Sequence, residues 1–139
     1  MLSSAVRTFA DSDAYAATIQ GATVELTVTQ NTDFAAKLTS VRLHRLWMQR
    51  YRESAGTIRH ARPVPDRAIV SFLTQPGPEV TLNGIPTPPG RLMRFSPSQE
   101  FYRRSAGRVT SQSVSLPIEA MAAGGRRWRG VTCCHRVTH

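Results

Sequence analysis

The chain has 139 residues, 40% of them apolar, and its 18 basic and 9 acidic residues give a formal net charge of +9. The size and composition suit one globular domain, and the longest apolar stretch, residues 68–73 interrupted by Ser71, is far shorter than the ~20 residues that span a bilayer. These features exclude a helical membrane protein, a secreted disulfide scaffold and a multidomain enzyme, and since the first residues show no export signal we expect a cytoplasmic protein.

A short helix is predicted near the N-terminus. Asp11 and Asp13 offer carboxylates that suit an N-cap, and residues 14–20 can be helical. Gly21 follows, and glycine is the usual residue just past a helix end because it tolerates a left-handed backbone. Residues 1–21 are therefore interpreted as an N-terminal arm and a short helix.

Two stretches follow whose apolar patterns differ in clarity. Residues 22–29 alternate apolar and polar side chains, which predicts a half-buried strand. Residues 34–53 fit either a strand, with one face formed by Val41, Leu43, Arg45, Trp47 and Tyr51, or a helix, with one face formed by Leu43, Leu46, Trp47 and Tyr51. Periodicity alone leaves this choice open.

Turn signals divide the rest of the chain into short β-forming runs. Asn83-Gly84 is a strong hairpin signal, and the sequence PPG at residues 88–90 marks another turn. Strands are predicted at residues 56–60, 67–73, 79–82, 91–95, 100–104 and 108–116. Pro117 and Glu119 predict the start of a helix over residues 117–123. Closely spaced short strands are typical of a β-sandwich or barrel, with the helices at its periphery.

The order of these features resembles a known family. The stretches that carry the resemblance are residues 9–15 (FADSDAY), 33–47, 69–73 (IVSFL), 82–84 (LNG), 89–96 (PGRLMRFS) and 114–122 (VSLPIEAMA). Over residues 9–123 the chain is similar to the N-terminal, cupin-like sensor domain of AraC-type transcriptional regulators. The resemblance implies an all-β, cupin-like (jelly-roll) β-barrel over residues 22–116 with short peripheral helices at both ends. It also implies that residues 36–52 form one long strand.

The last sixteen residues depart from the family. Its members continue into a pair of helix-turn-helix motifs that bind DNA, whereas residues 124–139 show no amphipathic periodicity and contain four arginines and no acid. Without these sixteen residues the formal net charge falls from +9 to +5, because 14 basic and 9 acidic residues remain. We expect a disordered basic tail, and contact with DNA only indirectly, through a missing or separate helix-turn-helix domain.

The resemblance also suggests a ligand pocket and a dimer. A small β-barrel can enclose one ligand, and an arginine inside it would suit a carboxylate or phosphate. The candidate ligand-binding residues are Arg45, Trp47, Phe72 and Arg94. The helix over residues 117–123 and the outer strands would contribute to a homodimer.

Metal binding and catalysis find little support in the sequence. No His-x-His motif occurs, and Glu53 is the only acid between His44 and His60, so these histidines are interpreted as surface residues. The adjacent Cys133 and Cys134 lack the usual spacer between thiolate ligands, and we treat them as incidental. No catalytic motif and no cofactor are predicted. The alternative kept open is a small metal-dependent cupin-type enzyme.

Nucleic-acid binding is the remaining alternative. Arginines interleave with Trp47 and Tyr51, which would suit a stacking platform for single strands. On a continuous strand, however, Arg42, Arg50 and Arg52 face away from Trp47, which favours a solvated outer face. We therefore interpret the chain as a non-enzymatic domain that senses a small-molecule effector and dimerises.

Overall fold

The computed structural model describes residues 2–120 and 132–133, in which the chain forms two β-sheets and a short helix. In chain order the elements are β1 (Leu2–Phe9), α1 (Ser12–Thr18), β2 (Ala22–Val28), β3 (Ala36–Leu43), β4 (Leu46–Glu53), β5 (Thr57–Pro63), β6 (Arg67–Leu73), β7 (Val80–Leu82), β8 (Ile85–Pro86), β9 (Met93–Phe95), β10 (Phe101–Ser105), β11 (Val109–Pro117) and β12 (Thr132–Cys133). None of the helices in this part of the chain is long and apolar enough to cross a bilayer.

Strands β4 to β11 form a jelly roll. In the first sheet β4, β11, β6 and β9 are neighbours in that order, and in the second sheet β5, β10, β7 and β8 are. All these pairs are antiparallel. Eight strands divided in this way between two sheets are the double Greek key that cupins use. The prediction of an all-β, cupin-like (jelly-roll) fold is therefore confirmed.

Further strands extend both sheets. The N-terminal arm is strand β1, which pairs with β3 along its whole length, from Leu2 opposite Leu43 to Phe9 opposite Ala36. Strand β2 pairs with β5 at the edge of the second sheet. At the far edge of the first sheet β12 pairs in parallel with β9. The rest of the predicted tail, residues 124–131 and 134–139, lies outside the described residues.

The expected single long strand over residues 36–52 is wrong. Strands β3 and β4 form a tight hairpin in which Leu43 pairs with Leu46, and His44 has a left-handed backbone with φ 53°. Neither turn residue is a glycine or asparagine, the residues that usually mark two-residue hairpins, so no turn signal was visible at this position. The hairpin reverses the chain and changes which side chains share a face.

The other local predictions agree closely with the structure. The carboxylate of Asp11 caps α1 by accepting a hydrogen bond from the amide of Asp13 at 3.0 Å. Asn83 and Gly84 connect β7 to β8 with positive φ angles of 49° and 84°, as a two-residue hairpin requires. Residues 118–120 begin a second helix, and the rest of the predicted segment 117–123 lies outside the described residues.

The interior of the jelly roll is formed by alternate residues of the facing strands. Along β5 and β10 every second residue is buried. Tyr15 and Ala16 of helix α1, with Ile19 just after it, close one side of this interior and pack against Leu26, Leu38 and Tyr51. A second apolar cluster lies between the sheets and contains Ala61, Ile69, Leu82, Met93, Phe95 and Phe101.

Candidate ligand-binding site

A buried charged cluster lies between the two sheets. The carboxylate of Glu53 is fully buried, and it accepts hydrogen bonds from Arg59 Nη2 at 2.5 Å and from Arg103 Nη2 at 3.0 Å. The hydroxyl of Tyr15 donates to Glu53 Oε2 at 2.6 Å. Thr57 Oγ1 donates to Oε1 at 3.3 Å. Both carboxylate oxygens are therefore held from several directions.

The strand pattern explains why these side chains meet. Gln49, Tyr51 and Glu53 are the inward residues of β4 in the first sheet. Arg59 and Arg103 occupy inward positions on β5 and β10 and are directly opposite each other in the register of the second sheet. Two neighbouring guanidinium groups of one sheet thus face one carboxylate of the other.

The charges in the cluster determine its ionisation. Burial on its own would raise the pKa of Glu53, but Arg103, Arg59 and the hydrogen bond from Tyr15 outweigh it and hold the pKa at about 2. Burial also lowers the pKa of the two guanidinium groups. For Arg59 the carboxylate of Glu53 reverses this effect and raises the pKa, whereas for Arg103 the added charge of Arg59 keeps the pKa lowered.

Neutral hydroxyl groups surround the charges. Tyr51 Oη lies 2.9 Å from Ser113 Oγ, and Arg103 Nη1 donates to Ser111 Oγ at 3.3 Å. The Arg59 guanidinium carbon lies 5.0 Å from the centre of the Tyr51 ring. Burial raises the pKa of Tyr51, and burial together with Glu53 raises the pKa of Tyr15. Both phenols therefore stay neutral at ordinary pH.

An internal cavity of about 50 Å³ adjoins this cluster. Its polar wall contains Arg59, Arg103, Tyr51, Ser111 and Ser113, among others. Its apolar wall includes Ile69, Leu82, Met93, Phe95 and Phe101. A largely apolar enclosure with a few convergent polar groups is the usual form of a small-molecule site.

A much larger open cleft, of about 1070 Å³, lies next to the cavity. The two spaces share the side chains of Leu73, Val80 and Thr87, and Glu53 lines the cleft while its two arginine partners line the cavity. The cleft also contains the exposed cations Lys37, Arg52 and Arg108, with Glu79 as its only other acid among the described residues. The lining of the cleft thus contains three cations and two acids.

None of the four predicted ligand-binding residues lines the internal cavity. Phe72 and Arg94 alternate with the inward residues Ser71, Leu73, Met93 and Phe95 on their strands, so they belong to the opposite face of the first sheet. Arg45 lies exposed in the hairpin turn after β3. Trp47 shares the inward face of β4 but lies at its far end. The structure brings together only Arg45 and Trp47, and it does so around a third residue.

That residue is Arg67, at the start of β6. Its guanidinium carbon lies 3.6 Å from the centre of the Trp47 ring, and its Nη2 donates to the carbonyl oxygen of Arg45 at 2.5 Å. Its Nε donates to Ser115 Oγ at 2.7 Å. Arg45 Nη2 in turn donates to Glu119 Oε1 at 2.6 Å. These contacts tie the hairpin turn, β6 and β11 to the start of the second helix.

The expectation that Arg42 faces away from Trp47 is wrong. The two residues are directly opposite each other across the β3–β4 hairpin, and the Arg42 guanidinium carbon lies 4.1 Å from the centre of the Trp47 ring. Counting alternate residues along a continuous strand put them on opposite faces, but the reversal at His44 and Arg45 brings them to the same face. Trp47 is thus already stacked by two guanidinium groups, which leaves less of its ring for a nucleic-acid base.

The histidines and cysteines do not assemble into a metal site in the part of the chain that the structure describes. Within residues 2–120 and 132–133, no three His, Cys, Asp or Glu side chains are close enough together to hold a metal ion. His44 is in the exposed hairpin turn. His60 stacks on Tyr102 with ring centres 4.5 Å apart and lies 3.3 Å from Glu100 Oε1. Cys134, His135 and His139 lie outside the described residues.

No family model and no curated protein matches the chain. Similar solved structures include AerE from Microcystis aeruginosa, with 5% identity, 66% of this chain and 45% of that chain covered, and a TM-score of 0.49. A predicted oxalate decarboxylase from Thermotoga maritima has 9% identity, with 68% and 94% covered and a TM-score of 0.47. The cupin domain of Cnp3 from Schizosaccharomyces pombe has 14% identity, with 74% and 77% covered and a TM-score of 0.44. This chain thus spans less than half the length of AerE.

Sequence reasoning missed the central residues Tyr15, Glu53, Arg59 and Arg103. One signal was present: in the predicted strand over residues 100–104, Arg103 shares a face with the apolar Phe101, where another apolar residue is expected. A charged residue at such a position needs a buried partner. The identity of that partner depends on sheet-to-sheet packing, which periodicity does not define.

Proposed function

We propose that this chain is the effector-sensing and dimerisation domain of an AraC-type transcriptional regulator acting in the cytoplasm, and that it is not an enzyme. The observation that carries the proposal is the cavity between the two sheets, which combines an apolar wall with convergent arginine, tyrosine and serine side chains. The resemblance of residues 9–123 to that sensor domain supports it. DNA binding, which the family assigns to a following helix-turn-helix pair, would lie outside the described residues.

The path from the cavity to the second helix supports a sensing mechanism. Strand β11 contributes Ser111 and Ser113 to the cavity wall and continues to Pro117. The helix that follows is held by the bond from the amide of Ile118 to the carbonyl oxygen of Asp66, at 3.1 Å, and by the Arg45–Glu119 pair. A ligand that displaces or stiffens β11 would thereby change the position of the helix.

The test has two parts on the full chain. A library of small metabolites is screened by thermal unfolding, and amide hydrogen exchange is measured with the compound that stabilises the chain most. The proposal expects slower exchange in residues 109–120 and a dimer by sedimentation at high concentration. A chain that stays monomeric and is stabilised by no compound would contradict it.

The metal-dependent alternative is separated by metal analysis of protein purified without an affinity tag. No observation on residues 2–120 favours such an enzyme, because these residues offer no group of three metal-binding side chains. A stoichiometric transition metal would overturn the proposed function. Protein free of metal that still binds a small molecule would support it.

A further inference from the structure

The buried cluster contains an uncompensated positive charge. Arg59 and Arg103 are both buried, and Glu53 is the only buried carboxylate among the described residues. The phenols of Tyr15 and Tyr51 are neutral, so they do not balance the second guanidinium. A buried charge without a counter-charge is costly in free energy. Among the described residues, the cluster thus has one more buried cation than buried carboxylate.

The two arginines also have unused hydrogen-bond donors. Their Nη2 atoms are committed to Glu53, but Arg59 Nε and Arg103 Nε are buried and have no hydrogen-bond partner among the described residues. A guanidinium group binds carboxylates through donors of this kind. Since the two residues are adjacent in the second sheet and both line the cavity, one small anion would meet both.

The cavity limits the size of that anion. At about 10–15 Å³ for each water molecule, a volume of about 50 Å³ has room for roughly three to five waters. This room suits a molecule of about four or five non-hydrogen atoms. The wall opposite the arginines is apolar, with Ile69, Met93 and Phe95 among its members. An anion with one charged end and a short apolar end fits better than phosphate or sulfate, whose oxygens point in all directions.

We propose that the cavity binds a short-chain aliphatic monocarboxylate, of acetate or propionate size, whose carboxylate accepts hydrogen bonds from Arg59 Nε and Arg103 Nε. The alkyl group of the acid packs against the apolar wall. The inference rests on the proposed function, because it names the chemical class of the effector that the sensor domain takes.

The adjoining cleft would attract such an acid to the neighbourhood of the cavity. Three residues, Leu73, Val80 and Thr87, line both spaces. Its exposed cations Lys37, Arg52 and Arg108 outnumber its acids Glu53 and Glu79. An excess of one sign of charge in a cleft raises the local concentration of ions of the opposite sign.

The experiment is a calorimetric titration of the full chain with sodium propionate at constant ionic strength, with propionamide as a neutral molecule of nearly the same shape. Propionate is expected to bind and to raise the unfolding temperature, and propionamide is not. Butyrate and hexanoate are expected to bind progressively more weakly, because the cavity is short. The Nε–H nuclear magnetic resonance signals of Arg59 and Arg103 are expected to shift with propionate.

Two single-residue variants test whether propionate binds beside the buried arginines. Arg103→Met leaves Glu53 paired with Arg59, so the chain should fold, and it is expected to lose at least about tenfold in propionate affinity. Arg104→Met makes the same substitution at the next residue of β10, whose side chain is exposed and does not line the cavity, and is expected to change the affinity less than about twofold. If Arg103→Met does not fold, by far-ultraviolet circular dichroism, the Nε–H signals of the unsubstituted chain decide the question.

Equal binding of propionate and propionamide, equal affinities in the two variants, or Nε–H signals that do not move with propionate would overturn the inference. Its failure differs from failure of the proposed function. A neutral metabolite that stabilises the chain and slows exchange in residues 109–120, while propionate does neither, would mean that the ligand class is wrong and that the sensor function stands.

Discussion

Arg103 Nη2 lies 3.0 Å from Glu53 Oε1, although the two residues are 50 positions apart in the sequence. Glu53 ends β4 in one sheet, and Arg103 is in the middle of β10 in the other. Together with Arg59 this pair joins the two layers of the jelly roll through their interior. Because two buried arginines share this one carboxylate, the cluster has more positive than negative charge. The same three residues therefore hold the sheets together and determine which ligand the cavity prefers.

Replacing Glu53 by glutamine should strongly destabilise the fold. The substitution keeps the size of the side chain but leaves two buried guanidinium groups without a carboxylate, and breaking a buried ion pair in this way costs about 3–5 kcal/mol. Urea unfolding followed by circular dichroism measures the change. Glu119→Gln is the matched control, because Glu119 is 73% exposed and its ion pair with Arg45 contributes little. Equal unfolding midpoints for the two variants would contradict the role of Glu53.

Stability should fall as the pH drops from about 4.5 towards 2. Arg103, Arg59 and Tyr15 hold the pKa of Glu53 at about 2, below its ordinary value of 4.5, so the unfolded chain takes up the proton first. The contribution of Glu53 to the free energy of unfolding is complete at pH values above its ordinary pKa of 4.5. It is lost as the pH falls through the lowered pKa of about 2 in the folded chain. Free energies of unfolding measured across this range should show a steep slope.

The slope of the free energy of unfolding against pH should be smaller in Glu53→Gln than in the unsubstituted chain. It should change less in Glu100→Gln, whose carboxyl also has a lowered pKa through a hydrogen bond from Arg62 but is exposed to solvent. The same steep slope in all three proteins would show that Glu53 is not the group responsible.

Tyr15→Phe should destabilise the fold by about 1.5–3 kcal/mol, the range for a hydrogen bond to a charged group. The hydroxyl of Tyr15 donates to Glu53 at 2.6 Å, and the side chain is fully buried, so no water replaces the lost donor. Chemical denaturation measures the effect. Tyr102→Phe removes a hydroxyl from a residue that is 54% exposed and should have almost no effect. Similar losses in the two variants would argue against a specific role for the Tyr15 hydroxyl.

Arg45→Gln should loosen the start of the second helix without unfolding the barrel. The substitution removes the 2.6 Å bond to Glu119 but leaves the carbonyl oxygen of Arg45, which Arg67 uses, in place. Amide hydrogen exchange at Ile118 should become faster while the unfolding temperature changes little. Arg91→Gln, at another exposed arginine, provides the control. An unchanged exchange rate at Ile118 would mean that the hairpin turn does not hold the helix.

Local patterns predicted much of the fold. The alternation of residues 22–29, the proline-rich turns and Asn83-Gly84 each reflect backbone preferences of a few neighbouring residues, and each appears in the structure. The β3–β4 hairpin was not predicted, because His44 and Arg45 are not residues that usually signal a turn. One missed reversal was enough to place Arg42 on the wrong side of Trp47.

The candidate site was harder to predict because it depends on which strands face each other. Arg94 and Arg103 are both arginines in predicted strands, yet Arg94 is exposed and Arg103 is buried beside Glu53. The difference lies in whether each residue shares the inward parity of its strand. The sequence shows which face of a strand is inward only where apolar residues at alternate positions mark that face, as Phe101 does for Arg103.

The proposal that the cavity between the sheets binds a short-chain monocarboxylate is tested most directly by proton–proton nuclear Overhauser effects between propionate and the chain. The predicted result is a set of effects from the propionate methyl group to the side chains of Ile69, Leu82 and Met93, which line the cavity. Effects confined to exposed side chains such as Val6 and Ile85, or no intermolecular effect with propionate in excess, would contradict it.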